Sequence, residues 1–256
     1  MRKVKRAEVG HEEARGFFLL KQFRKHKVVA AFSGRRFQMN FSPEGSKSVA
    51  IAARRLFCRL AGVSFDQLVC MEQVHGANIV RVGTQDAGRG TRDPATQIGG
   101  TDALVTDVPH LVLSARTADC APVFFLDPKR HVIGIAHIGW RGASAKLASK
   151  LVQVFRMQFI SKPEDLVVAL GPTIRPCCYQ VGSEFQSAFG SFVAKRPTGL
   201  YFDLPGYIIQ ELVTGGVPIA SIYDSTLCTS CLNDRFPSYR KEGTKVRHML
   251  SIISLI

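Results

Sequence analysis

The sequence predicts an α+β (mixed α/β) protein in which helices cover mixed β-sheets. Short apolar segments of strand length outnumber amphipathic segments of helix length, and both adjacent strand pairs and strand-to-helix crossovers occur along the chain. The 256 residues, 46% of them hydrophobic, suffice for one sizeable core, and no repeat or low-complexity tract divides them. We therefore expect a layered single catalytic domain over residues 25–256, preceded by a basic, loose segment over residues 1–24.

The strand predictions rest on aliphatic segments that are bounded by turn residues. They cover residues 28–32, 68–74, 79–82, 103–106, 111–116, 123–126, 132–137 and 166–170, with 250–256 as an edge strand. His75-Gly-Ala-Asn78 is expected to be the turn between the second and third of these strands. Residues 83–101 are rich in Gly, Thr, Asp and Arg and predict a mobile loop.

Apolar residues at helical spacing predict helices over 46–60, 142–155, 183–192 and 204–213. In the first helix, Leu56 and Phe57 are expected on the apolar face, with Arg54 elsewhere. Ser183 and Asp203 are the expected N-caps of the last two helices, because their side-chain oxygens can accept hydrogen bonds from the first free backbone N–H groups.

The net charge of +14, from 34 Lys+Arg against 20 Asp+Glu, favours anionic partners such as phosphate or nucleotides. A nucleic-acid-binding function has only this charge in its support, since no DNA-binding motif accompanies it. No apolar stretch approaches the ~20 residues of a membrane span, and no apolar segment follows the basic N-terminus as in a signal peptide. Seven cysteines in such a chain indicate reduced thiols or ligands, and therefore a cytoplasmic location. The oligomeric state stays open.

Three segments place a potential metal ligand at the end of a predicted strand, namely His75, Cys120 and His137. Imidazole nitrogen and thiolate sulfur suit zinc or copper, and three protein ligands leave a fourth position open for water or substrate. The three residues are far apart in the sequence. Spacing alone therefore leaves open that the histidines are structural and that the cysteine is a buried small hydrophobe.

Several motifs, in this order, resemble the YfiH family, which has been labelled polyphenol oxidase or laccase-like and also peptidoglycan editing factor. They are Gln73-Val-His75-Gly, Thr101-Asp-Ala-Leu-Val-Thr106, Thr117-Ala-Asp-Cys120-Ala-Pro122, His137-Ile-Gly-Trp-Arg-Gly142, Gly171-Pro-Thr-Ile-Arg-Pro-Cys-Cys-Tyr179 and Cys228-Thr-Ser-Cys231. The resemblance implies zinc, or copper in older descriptions, held by His75, Cys120 and His137. It also implies phosphorolysis of adenosine, inosine and methylthioadenosine to free base and ribose 1-phosphate, together with deamination of adenosine.

Two neighbouring residues are further candidates for the catalytic site. Arg141 follows His137 closely and can hold phosphate through bidentate contacts. Asp119 adjoins Cys120 and can act as an acid/base or orient a histidine ligand. Each has a structural alternative: Arg141 can pair with a carboxylate, and Asp119 can cap a turn.

Two other enzyme classes fit the same residues. One is a copper-dependent polyphenol oxidase, although seven histidines are few for a laccase. The other is a hydrolase that edits peptidoglycan precursors, with Cys120 as nucleophile and His137 as base.

Other residues raise separate questions. Cys228-x-x-Cys231 resembles half of a four-cysteine zinc site, but its one conceivable partner is the adjacent pair Cys177-Cys178, so packing is the favoured interpretation.

His248 is expected to face solvent. The segment Phe32-Ser-Gly-Arg35-Arg36 lacks the paired glycines that are usual in the family, which puts its contact with substrate in question.

Overall fold

Two large β-sheets and one small sheet form the fold of the computed structural model, which describes residues 4–12, 16–40 and 47–256. The strands of this part of the chain are, in order, β1 (Lys5–Arg6), β2 (Val9–Glu12), β3 (Phe17–Leu20), β4 (Val28–Ser33), β5 (Leu68–Cys70), β6 (Ile79–Arg81), β7 (Ala103–Thr106), β8 (Val112–Thr117), β9 (Ala121–Asp127), β10 (Val132–Ile138), β11 (Val167–Leu170), β12 (Gln180–Val181), β13 (Val193–Arg196), β14 (Gly199–Phe202), β15 (Ile222–Asp224) and β16 (Met249–Leu255).

Both large sheets are mixed. The seven-stranded sheet has the order β1-β15-β11-β9-β10-β7-β6, the six-stranded sheet β2-β3-β4-β16-β8-β5, and the small sheet β12-β14-β13. In the seven-stranded sheet β10 is antiparallel to both β9 and β7, whereas β6 is parallel to β7. In the six-stranded sheet β5 is parallel to β8. The predicted α+β class with mixed sheets is therefore confirmed.

The helices are α1 (Lys21–Arg24), α2 (Lys47–Ala61), α3 (Trp140–Ser144), α4 (Leu147–Phe159), α5 (Glu184–Phe189), α6 (Leu204–Thr214) and α7 (Tyr239–Glu242). The two large sheets pack face to face, because Leu104 and Phe124 of one share a buried cluster with Phe32 and Leu113 of the other. Helix α2 packs on the outer face of the six-stranded sheet, and α4 and α6 pack on that of the seven-stranded sheet. No helix in the described part of the chain has the length and apolar character to cross a membrane.

The last strand was predicted correctly in extent but not in position. The predicted edge strand at 250–256 is β16, which lies between β4 and β8 with all seven residues buried. A strand that is covered on both faces shows a continuous apolar run instead of an alternating one, so its sequence carries no mark of its place in the sheet.

A predicted hairpin and a predicted helix differ from the structure. The strands predicted at 68–74 and 79–82 are not a hairpin pair, since β5 lies in the six-stranded sheet and β6 in the seven-stranded sheet. The helix predicted over 142–155 is interrupted at Lys146, whose φ of 62° is left-handed. This break separates the short α3, which follows the segment around His137, from α4, which packs on the sheet.

Residues 16–24 are part of the fold and not of a loose segment. Strand β3 pairs with β4, and Phe17, Phe18, Leu20 and Phe23 are buried. Residues 5 and 6 also pair with β15. Basic residues precede this apolar run, and burial of its hydrophobic side chains stabilises β3 beside β4.

Helix α2 buries an arginine. Arg54 was expected away from the apolar face, yet its side chain is fully buried, whereas Leu56 is 39% exposed. The guanidinium of Arg54 donates to the backbone oxygens of Met39, Gly90 and Thr91 at 2.8–3.3 Å. The long loop after β6 is therefore attached to the helix at its centre, where backbone carbonyls would otherwise be buried without donors.

We expect Arg54→Met to lower the free energy of unfolding by about 3 kcal/mol, because it leaves several buried carbonyls without their donor. The control is Arg59→Met on the same helix, whose side chain is exposed and whose loss should change stability by less than about 0.5 kcal/mol. Denaturant unfolding of both variants provides the measurement. Equal stability of the two variants would show that Arg54 is not a structural link.

Helix α6 buries a carboxyl group. Glu211 is 5% exposed and faces α4, with the Nζ atom of Lys146 3.3 Å from its Oε1. Burial raises the pKa of Glu211 to about 7, although Lys146 acts in the opposite direction. The folded chain therefore binds this proton more tightly than the unfolded chain does.

The contribution of Glu211 to stability should be full below its unfolded pKa and lost as pH rises through about 7. Glu211→Gln removes this titration, so the variant should gain stability relative to the parent between pH 5 and pH 8, with no further gain at higher pH. Denaturant unfolding across this range measures the difference, with exposed Glu164→Gln as the control for the loss of a carboxylate. A constant difference across the range would contradict the assignment.

Candidate metal centre

The ends of two neighbouring strands bring Cys120 and His137 together. Strands β9 and β10 form a hairpin in which His137 pairs with Pro122 and Ile138 with Ala121. Cys120 immediately precedes β9, so it lies at the same end of the hairpin as His137. The pairing register alone therefore places a thiol beside an imidazole.

His75 reaches the same place from a loop with an unusual backbone. Its φ of 58° is left-handed, which costs energy for a residue other than glycine. The carboxylate of Asp102 holds this turn by accepting the backbone N–H groups of Val74 at 3.3 Å, His75 at 3.1 Å and Gly76 at 2.6 Å. The loop conformation that presents His75 therefore depends on Asp102.

Asp102 also orients His137. Its Oδ1 lies 2.8 Å from Nδ1 of His137, and its backbone oxygen accepts the N–H of the same residue at 2.8 Å. A carboxylate can only accept, so Nδ1 of His137 carries a proton, and Nε2 is the nitrogen that faces the centre. The hydrogen bonds of His137, Gly76 and Val74 outweigh burial and lower the pKa of Asp102.

The three donor atoms form a compact group. One ligand atom each from His75, Cys120 and His137 lie within 4.8 Å of one another, and the two imidazole rings stand edge to face with centroids 4.7 Å apart. Gly139 leaves room for this arrangement, since a Cβ there would lie 2.7 Å from Sγ of Cys120. Two nitrogens and one sulfur at this separation fit zinc or copper and do not suit magnesium or calcium.

The charges at the centre favour a thiolate. Burial opposes ionisation of Cys120, but His137 and His75 outweigh it and lower the pKa of the thiol. Burial also opposes the charged form of His137, but Cys120 and Asp102 raise its pKa. A thiolate is the form in which cysteine binds a metal or attacks an electrophile.

The three donors lie in the wall of a cavity of about 860 Å³. Its lining includes three arginines, Arg116, Arg141 and Arg240, called here the cationic wall, and the rings of Trp140 and Tyr179, called here the aromatic wall. The two sets touch, because the guanidinium of Arg240 lies over the Tyr179 ring. A volume of this size suits a small organic ligand together with an anion.

The two further sequence candidates lie in the same cavity but differ in their contacts. Arg141 is exposed, and its guanidinium stacks on the ring of Trp140 at 4.4 Å. The carboxylate of Asp119 accepts hydrogen bonds from the hydroxyls of Thr229 and Ser238 and from the N–H of Arg240 at 2.6–3.1 Å. Asp119 thus joins loops around the cavity, and the carboxylate that orients a histidine is Asp102.

Sequence reasoning missed several residues of the site. Asp102 lies in the motif Thr101–Thr106, where an acidic residue directly before a buried strand was the available signal. His248 is not directed to solvent as expected but lines the cavity, with Nδ1 2.9 Å from Oδ1 of Asn40. Arg116 lies in the buried strand β8, and no motif in the sequence marked it as a residue of the site.

The unusual segment at residues 32–36 is connected to the cavity through helix α7. Arg35 pairs with Glu242 of α7 at 2.5 Å, and α7 carries Tyr239 and Arg240, which line the cavity. Arg35 therefore supports the cavity wall through α7.

The fold and the site define an enzyme-like α+β protein with a candidate metal centre at one end of a seven-stranded sheet. The family model described as "Multi-copper polyphenol oxidoreductase laccase" matches residues 22–256, so the chain belongs to this family. The resemblance to YfiH proteins is also confirmed. The crystal structure of Bacillus licheniformis hypothetical protein YfiH superimposes with a TM-score of 0.91 at 28% identity, covering 96% of this chain and 98% of that one.

Relatives with named activities are similar over most of the chain. "Purine nucleoside phosphorylase YlmD" of Geobacillus stearothermophilus is 35% identical over 215 residues, which are 78% of this chain and 76% of the relative. The crystal structure of YlmD from the same organism has a TM-score of 0.91 and covers 96% of this chain and 98% of its own. "Adenosine deaminase RL5" of an unknown prokaryotic organism is 30% identical over 200 residues, 75% of this chain and 76% of the relative.

With zinc as the probe metal, we expect Asp102→Asn to weaken the affinity of the candidate centre by about 10–100-fold, because the amide presents both a donor and an acceptor where only an acceptor fits. Protection of Cys120 against alkylation at buffered free zinc, read by peptide mass spectrometry, reports this one site. Asp107→Asn, whose carboxylate binds Arg81 at the surface, is the control and should leave the protection midpoint unchanged. An unchanged midpoint in Asp102→Asn would contradict the positioning role.

Proposed function

We propose that the chain is a zinc-dependent purine nucleoside phosphorylase with adenosine deaminase activity. Its substrates would be adenosine, inosine or methylthioadenosine with phosphate, and its products the free base and a ribose 1-phosphate. The observation that carries the proposal is the convergence of His75, Cys120 and His137 in a cavity that has a cationic wall and an aromatic wall. The names of the phosphorylase and deaminase relatives support it.

The cationic wall supports phosphate as co-substrate. Arg141 lines the cavity and is exposed, so its guanidinium can meet an anion there. The Nε atom of Arg116 is buried and meets no acceptor in the described part of the chain. Burial and the neighbouring Arg116 lower the pKa of His248 to about 4, so at neutral pH His248 adds a neutral hydrogen-bonding group. Guanidinium groups bind phosphate through paired hydrogen bonds.

The aromatic wall supports a purine base. The ring centroids of Trp140 and Phe185 are 5.4 Å apart and those of Tyr179 and Phe185 are 6.3 Å apart, at interplanar angles of 51° and 66°, so the three rings form one aromatic surface with tilted faces. A planar base can stack on such a surface and leave its polar edge free for hydrogen bonds. Gln180 and Glu184, which also line the cavity, can supply these bonds.

Each residue then has a defined task. His75, Cys120 and His137 would hold the zinc, which when bound supplies Lewis-acid chemistry. Asp102 keeps His137 in the ligating tautomer and keeps the His75 turn in place. Arg141 would orient phosphate towards the anomeric carbon of the ribose, and positioning of this kind lowers the barrier to a two-substrate reaction. The same centre would serve deamination, in which water reacts at the purine carbon that carries the amino group and ammonia leaves.

Copper-dependent phenol oxidation is a second candidate, supported by the family description. Against it, the described part of the chain has two groups of metal-ligating side chains, and only the one at Cys120 contains histidine. Several copper ions would need many more imidazoles. Oxygen-dependent oxidation of a phenol by copper-loaded protein, absent from the zinc-loaded protein, would favour this candidate.

A third candidate is a thiol hydrolase acting on peptidoglycan precursors. The observation in its favour is the series Cys120, His137 and Asp102, in which a thiol with lowered pKa adjoins an imidazole that is held by a carboxylate. This arrangement is typical of an activated nucleophile. A chelator separates the alternatives, since it should abolish zinc-dependent phosphorolysis and spare thiol hydrolysis.

The main test is incubation of zinc-loaded protein with adenosine and phosphate, followed by chromatography of the products. We expect adenine and ribose 1-phosphate, with loss of turnover in Cys120→Ala. In phosphate-free buffer we expect inosine and ammonia instead. Absence of both reactions in zinc-loaded protein would exclude the proposed function.

Arg141→Met provides a sharper test of the phosphate site. We expect the KM for phosphate to rise about 10–100-fold, because a charge-assisted hydrogen bond is lost, while ammonia release without phosphate is unaffected. Arg130→Met is the control, since Arg130 is exposed on the turn at the opposite end of the β9–β10 hairpin. Equal loss of both reactions in Arg141→Met would assign Arg141 to the fold of the site and not to phosphate.

A further inference from the structure

Four cysteines outside the cavity converge although the sequence separates them. Cys177 and Cys178 follow β11, whereas Cys228 and Cys231 follow β15. The sequence favoured packing for these residues, because an adjacent pair is poor spacing for a ligand set. In the structure the four sulfurs lie within 4.8 Å of one another. We propose that Cys177, Cys178, Cys228 and Cys231 bind a second zinc ion, which has a structural role.

The sulfur positions agree with tetrahedral coordination. Sγ of Cys231 lies 3.5 Å from that of Cys177 and 3.3 Å from that of Cys178. A Zn–S bond of about 2.3 Å places the sulfurs of a regular tetrahedron about 3.8 Å apart, which is close to these two distances and below the 4.8 Å that bounds the group. Four thiolates fill all four coordination positions of zinc, which is typical of a structural site. The centre at Cys120 differs, because it has three protein ligands.

The surrounding backbone suits thiolates. The backbone N–H groups of Cys231 and Arg175 are directed at the sulfur of Cys228, so two hydrogen-bond donors face this ligand. Binding of Zn²⁺ releases one proton from each of the four thiols and leaves a centre of net charge −2. Arg175 lies beside Cys228 and offsets part of this charge, while its guanidinium is held by Asp224 at 2.5–2.9 Å.

The two loops are also joined by hydrogen bonds. Thr173 and Cys228 form an isolated parallel bridge, and the N–H of Thr229 donates to the oxygen of Thr173 at 3.2 Å. The turn of Cys228 is closed by the N–H of Leu232, which donates to its oxygen at 3.0 Å. These bonds bring the ligands together before a metal arrives, so less conformational entropy is lost on binding.

The loops that carry the four cysteines also carry or contact residues that line the cavity. Tyr179, which follows Cys178 directly, lines the aromatic wall. Arg240 lines the cationic wall and donates to the backbone oxygens of Cys178 at 3.4 Å and Gln180 at 2.8 Å. Thr229, between the other two cysteines, holds Asp119 next to Cys120. A zinc ion here would fix the loops that form one side of the cavity without touching the substrate.

The experiment counts zinc in chains purified under reducing conditions. We expect two zinc ions per parent chain, one in Cys120→Ala, one in Cys231→Ala and none in the double variant. Cys231 is exposed, so its truncation spares the core, and Cys120→Ala is the reciprocal control. Retention of the parent's zinc content by Cys231→Ala, or absence of zinc from Cys120→Ala, would overturn the proposal.

Two measurements on Cys120→Ala keep the test independent of catalysis and of the folding of Cys231→Ala. Cobalt substitution should give the intense near-ultraviolet thiolate-to-metal charge-transfer absorption of a four-sulfur centre. Chelation should lower the melting temperature. Intact mass without reductant tests the alternative that these cysteines form disulfides. A zinc-free chain that is lighter by two hydrogens per disulfide would overturn the proposed zinc site. Because Cys120→Ala has already lost the first centre, failure of this proposal is distinguishable from failure of the proposed function.

Discussion

The buried carboxylate of Asp102 is the interaction on which the candidate centre depends. It accepts three consecutive backbone N–H groups of the loop that carries His75, and its Oδ1 also binds the imidazole of His137. One side chain thus stabilises a left-handed backbone turn and selects a histidine tautomer. Such a carboxylate is costly to bury alone, and the four hydrogen bonds offset that cost by favouring its charged form.

The two-sheet core explains why this geometry can be rigid. Asp102 and Cys120 directly precede strands of the seven-stranded sheet and His137 lies within one, and these three strands are buried on both faces. The loops that complete the cavity come from segments distant in sequence, and they are held by Asp119 and by Arg240. The four cysteines lie close together in two of these loops. The strands therefore position the ligands, and the loops shape what can bind beside them.

The differences between prediction and structure have a common physical origin. Arg54 was expected off the apolar face of its helix because charged residues are seldom buried, but backbone carbonyls of two other segments meet its guanidinium. Asp119 was a candidate to orient a histidine because it is adjacent to Cys120 in sequence, yet its carboxylate binds Thr229 and Ser238, and His137 is held by Asp102. In each case the partner that decides the role of the side chain is remote in sequence.

The sequence by itself determined the α+β class, the helix at Leu204–Thr214 with its Asp203 cap, and three ligand candidates at the ends of strands. These features depend on local periodicity, turn chemistry and recognisable motifs, which short segments carry in full. The tertiary structure alone decided that His75 meets Cys120 and His137, that Asp102 orients them, and that Cys177 and Cys178 meet Cys228 and Cys231. Such contacts depend on sheet order and loop paths, which follow from packing the whole chain and leave no periodic signal in any one segment.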